Sequence, residues 1–168
     1  LADDAVTAAK AGFSPGKIGQ VVSTHTNATS FSTSASTMTD ITGLSVAITP
    51  SATSSKILVM ATVSASGAAT SRFFLGLKRG STVIAAGDAS GSRLAGAIAG
   101  NETQGSNTIH STSISFLDSP SSSSEQTYKV TGCGEGSTTF YINRGANDSD
   151  ASTVARGSST ITVIEVLA

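Results

Sequence analysis

The chain has one cysteine, no tryptophan and three prolines among 168 residues, and aromatic residues make up 5%. A lone thiol excludes an intrachain disulfide framework and any metal site built from several cysteines. Cys133, set in Gly-Cys-Gly at the end of a strand pattern, reads as a small buried hydrophobe. Charge is scarce as well, at 12% of residues with a formal net charge of −1. Nucleic-acid binders carry basic stripes, so that partner is not expected. No apolar run approaches the length that crosses a bilayer, so membrane insertion is not expected either. There is no signal-peptide pattern, and the abrupt start at Leu1 suggests a fragment or an upstream part removed.

What is present in excess is serine and threonine, roughly a third of the chain, far above ordinary usage. Such a composition on its own fits a disordered or mucin-like segment. Here the hydroxyl residues interleave with Val, Ile, Leu and Phe at period two, so most of the chain can bury one face. Phe73, Leu75 and Leu77 alternate with Arg72 and Lys78, and Gly80 supplies the reversal before Thr82-Val83-Ile84 returns. Lys56–Ser64 is the strongest strand pattern. Ile57, Val59, Ala61 and Val63 line one face, while Leu58 and Met60 make the other apolar too. That predicts a central strand or one lying against another subunit. Further strands are expected at 18–26, within 37–48, at 109–117, around Tyr128 and Val130, at 138–143 and at 160–167. Eight or nine strands with regular turns argue for an antiparallel β-sandwich or jelly roll. Residues 1–16 read as a short helical or extended stalk and linker, and 17–168 as the β domain.

Phe74 breaks the alternation of its strand. With Leu58 and Met60 it is the expected oligomer interface, since apolar side chains stand where the pattern calls for polar ones. Glu165, inside Thr160–Leu167, is expected to pair with Arg144 or Arg156 as a structural ion pair. Two stretches are longer than a turn requires, 91–106 and 145–157, and recognition collects on loops held by a rigid sandwich. The first, at its far end, offers Arg93, Asn101, Glu102, Gln104 and Asn107; the second offers Asn147, Asp148, Ser149 and Asp150. Amides and carboxylates of this kind suit sugar hydroxyls, so weak, repeated contact with a surface polysaccharide is expected. The stacking aromatic usual in sugar sites is missing from these loops.

No catalytic frame is recognisable: there is no Gly-x-Ser-x-Gly elbow, and neither His25 nor His110 has a carboxylate or cysteine at ligand spacing. Neither an enzyme nor a cofactor is expected. Asn147–Asp150 lacks the glycine and terminal glutamate of an EF-hand loop and reads as an Asx turn.

The segments LKRGSTVIAAGDASGSR, GLSVAITPSATSSKILVMATVSASG, SISFLDSP, YINRGANDSDAS and RGSSTITVIEV resemble, in order, the C-terminal region of fibre-like virion proteins of marine tailed phages. ADDAVTAAK resembles the units that precede globular heads in phage fibres. The resemblance implies a non-enzymatic virion structural role, outside the cell. It further implies a trimeric head, by analogy with heads carried on fibres, joined to other virion proteins through its N-terminal segment. Two alternatives stand beside it: a subunit of an extracellular polymer built by exchange of that segment, and a monomeric carbohydrate-binding module.

Overall fold

The computed structural model describes residues 17–88, 90–94 and 99–167. The expected stalk over 1–16 lies outside the described residues. The rest is almost entirely antiparallel β-structure, arranged as two sheets around one core, in a sandwich-like fold.

In chain order the strands are β1 (Lys17–Thr26), β2 (Ser32–Thr33), β3 (Thr39–Ile48), β4 (Lys56–Gly67), β5 (Arg72–Arg79), β6 (Thr82–Ile84), β7 (Ala99–Glu102), β8 (His110–Asp118), β9 (Gln126–Gly134), β10 (Phe140–Ile142) and β11 (Ser159–Leu167). Sheet A runs β1-β11-β4, with β8 on the free side of β4 and the short β10 and β2 continuing beside its far end. Sheet B runs β3-β9-β5, with β6 and β7 sharing the outer flank of β5.

Period two explains the core. Ile57, Val59, Ala61 and Val63 of β4, and Ile161 and Val163 of β11, point inward from sheet A. They meet Phe73, Leu75 and Leu77 of β5 and Tyr128 and Val130 of β9, all fully buried. Phe140 packs on Phe73 with ring centroids 5.7 Å apart. Gly132 makes room for that ring, because a β-carbon there stands 2.6 Å from the Phe140 ring. Gly80 turns the β5–β6 hairpin at φ 57°, the left-handed conformation glycine adopts freely.

The strands match the sequence pattern closely except at three places. The two β-branched segments over 37–48 form one strand, β3, kinked by a bulge around Gly43 at φ 86°. Part of the expected loop 91–106 is a strand instead: β7 pairs with β5, setting Glu102 opposite Arg72. The two side chains form an exposed ion pair at 3.4 Å. Finally, Phe74 does not share a surface with Leu58 and Met60. Phe74 stands on the outer face of sheet B, beside buried Cys133 and over Gly100, whose absent β-carbon leaves space for the ring. Leu58 and Met60 stand on the outer face of sheet A, across the sandwich. The three residues expected between subunits therefore stand on two opposite outer faces.

That outer face of sheet A carries an apolar row in register across four strands. Val21 pairs with Ile164, Ile164 with Leu58, and Leu58 with Leu117. Met60 lies on the same face, and Val21, Met60 and Leu117 are 59%, 46% and 47% exposed. Strand β4 is central by pairing, as expected, but no part of the described chain buries this second face.

Candidate functional site

Among the described residues Glu165 is the most deeply buried carboxylate, 1% exposed on the inner face of β11. Its partners are not arginines. Oε1 accepts from the Ser51 amide at 2.6 Å and the Ser51 hydroxyl at 2.7 Å, and Oε2 accepts from Gln20 Nε2 at 2.9 Å. Gly19 lets β1 close over the site, since a β-carbon there stands 2.9 Å from Glu165 Oε2. Burial, the largest single influence, pushes the carboxyl up, but the hydroxyl and amide of Ser51, followed by the Ser55 hydroxyl and Gln20, outweigh it and hold it at about 2. The expected ion pair is thus corrected: neutral donors do the work assigned to a cation. Arg144 and Arg156 are engaged elsewhere. Arg144 lies 4.2 Å over the Tyr141 ring and donates to the carbonyls of Thr29 and Gly145.

Arg156 builds the surface of greater interest. Its Nε and Nη2 fork onto the two Asp148 oxygens at 2.9 and 2.8 Å. The guanidinium holds the Asp148 carboxyl below its ordinary range. Arg144 and Arg156 pair through their backbones, and the Gly157 amide donates to Asn143 O, so 145–155 is an excursion closed at its base. Asn147 Oδ1 accepts from the Ser149 amide at 3.1 Å, forming the Asx turn expected of Asn147–Asp150.

The two predicted loops converge at this point. Asn147 Nδ2 donates to Asn107 Oδ1 at 2.9 Å, and the Asn147 amide donates to Ser106 O at 2.8 Å. Gly145 permits the approach, because a β-carbon there stands 2.5 Å from Ser106 O. Beside the junction an open cleft of about 420 Å³ is lined by Asp148, Ser149, Asp150, Ala151, Val154 and Arg156. Asn107, Asn147, Asp148 and Asp150 therefore belong to one surface. The other candidates do not join them. Asn101 is turned to Thr112 Oγ1 at 2.7 Å, Glu102 to Arg72, and Arg93 to Ser90 O at 3.2 Å. Gln104 is exposed on the segment that follows β7.

Among the described residues no group of three or more His, Cys, Asp and Glu is placed to hold a metal ion. His25 is exposed opposite Thr160, while His110 packs beside Phe73 with ring centroids 6.1 Å apart, so the two share no site. Cys133 is fully buried, and burial pushes its thiol up.

A buried polar triad went unseen in the sequence. Asp118 at the end of β8 accepts from Tyr128 on β9 at 2.7 Å and from Arg79 on β5 at 2.6 Å, linking sheet A to sheet B. The available signal was Asp118 continuing the inward row of Ile114 and Phe116, and Tyr128 sharing a face with Val130. No protein-family model matches the chain, and no curated protein matches it.

Proposed function

We propose that this domain is the oligomeric head of a virion fibre or appendage, a trimer that presents a recognition surface outside the cell. The observation that carries the reading is the apolar row Val21–Ile164–Leu58–Leu117 with Met60, in register across sheet A and left uncovered by the described residues. Contiguous apolar surface on a sheet face marks contact with another chain. A strand order of β1-β11-β4-β8 facing β3-β9-β5-β7 supports a jelly roll. The joined loops at Asn107 and Asn147, with the Asp148–Arg156 fork, supply a surface fit for weak polar contact with host polysaccharide. Repetition around a symmetry axis multiplies such weak contacts.

Sedimentation of the chain should give one species of three times the chain mass. Leu58→Lys should reduce it to a single-chain mass while leaving the β-type circular dichroism intact. A wild-type monomer overturns the reading.

One observation favours a second reading, the polymer subunit. Among the described residues β8 pairs with β4 on one side only, in an unbroken register from His110 to Asp118, without bulge or proline. Edges of that kind accept a neighbour's strand. An open series of masses would support it over the trimer.

A further inference from the structure

A second cleft, sharing no residue with the first, opens between the end of β1, the loop into β2 and the bulge of β3. It encloses about 260 Å³ and is lined by Thr26, Ser30, Phe31, Ser32, Thr42 and Gly43, among others, with no charged side chain in its wall. The site is built rather than incidental. Asn143, fully buried, donates from Nδ2 to the carbonyls of Thr26 and Ala28, both at 3.0 Å, and accepts from the Ser159 hydroxyl at 2.7 Å. Arg144 Nε holds the Thr29 carbonyl at 3.2 Å. The loop is thus fastened through the carbonyls of Thr26, Ala28 and Thr29. Phe31 sits edge-on to Phe140 at 6.3 Å, which fixes its ring. Gly43, at φ 86°, lets the β3 bulge close on Thr26, where a β-carbon would stand 3.2 Å from Thr26 Oγ1.

We infer that this cleft binds a single neutral sugar ring. A pyranose has an apolar face of C–H groups and a rim of hydroxyls. The half-buried Phe31 ring offers a flat apolar wall, and the exposed Ser30, Ser32 and Thr42 hydroxyls each donate and accept at the rim. The volume lies just under the roughly 300 Å³ at which drug-sized pockets begin, which suits one ring and not a chain of them. A charged sugar is disfavoured, because the wall offers its carboxylate no counter-ion. Rigid fastening of the loop reduces the ordering cost of binding. The site deepens the surface-binding half of the function proposed above and rests on that reading only for the kind of partner.

The test is titration of isotope-labelled protein, followed by amide NMR, with glucose, galactose and N-acetylglucosamine, and with galacturonic acid as the charged control. Saturable shifts confined to residues 26–32 and 42–43, with the neutral sugars only, are expected. Thr42→Lys, at an exposed position, should weaken binding about tenfold or more without changing the melting temperature. Phe31→Leu, which keeps an apolar contact with Phe140 but removes the flat face, should weaken it about fivefold. Absence of saturable shifts, shifts centred elsewhere, equal affinity for the acid, or unaltered binding by Thr42→Lys each overturn the inference. A protein that keeps its trimeric mass yet binds no neutral sugar sinks this site and leaves the proposed assembly standing.

Discussion

Tyr128 donates its phenol hydroxyl to Asp118 at 2.7 Å, across the gap between the two sheets. Burial, with the Asp118 hydrogen bond, pushes the phenol well above its ordinary range, so it is a neutral donor at neutral pH. Arg79 completes the carboxylate's shell from the sandwich rim, where it is 24% exposed. Tyr128→Phe should cost about 1–2 kcal/mol, the loss of a donor to a charged acceptor. Asp118→Ala strands two donors and should cost about 2–3 kcal/mol, below the ~3–5 of a fully buried pair because Arg79 keeps water. Urea denaturation of both variants and of the double mutant checks this. A coupling under about 0.5 kcal/mol would mean the two groups act independently.

Glu165 makes stability depend on acid in a defined window. Its folded pKa, about 2, lies below the ordinary 4.5, so the carboxylate binds its proton more readily once the chain unfolds. The stabilisation is therefore complete above about pH 4.5 and drains away as the pH falls towards 2. Glu165→Gln should remove that slope and cost about 1–3 kcal/mol at neutral pH. The readout is the difference in unfolding free energy between wild type and variant from pH 7 to pH 2. Parallel curves throughout would mean that the carboxyl's pKa does not change on folding.

Two glycines should respond to alanine for opposite reasons. At Gly132 the added carbon collides with the Phe140 ring at 2.6 Å, in a core that cannot yield, so overpacking of about 1–3 kcal/mol is expected. At Gly80 there is open space and only the left-handed φ of 57° to strain, worth about 1 kcal/mol. Thermal melts of the two variants should rank them in that order.

Cys133 should react with a maleimide only as fast as the domain opens. Its thiol is fully buried, raised by burial, and lies 3.5 Å from Met38 Sδ. Labelling rates that rise with urea in step with unfolding are expected. Rapid labelling without denaturant would place the thiol at the surface.

The strands were legible wherever period two was clean, as in Phe73-Leu75-Leu77 and Ile57-Val59-Ala61-Val63. β7 was illegible because Ala-Gly-Asn-Glu has no apolar alternation; its place is set by β5, which offers an unpaired flank. The outward position of Phe74 was readable from its strand. That its ring lies over Gly100 was not, since the match is made across a chain reversal. Glu165 shows the same limit more sharply. A buried acid calls for partners, and arginines at a nearby loop looked sufficient. The partners are Ser51 and Gln20, 114 and 145 residues away in the chain, and neither carries a charge to advertise itself. The convergence of Asn107 and Asn147 was equally invisible, although each loop was recognised by itself.

The pairing of β1 with β11 sets Lys17 opposite Leu167 and Thr26 opposite Ser159, so the earliest described strand waits for the latest. A nascent chain emerging from the ribosome cannot complete sheet A until the final nine-residue strand is synthesised. Until then β4 lacks its β11 neighbour and the Glu165 donors have nothing to hold. Pairing β1 with β11 closes the longest loop between paired strands of the described chain, and contacts of such sequence separation slow folding.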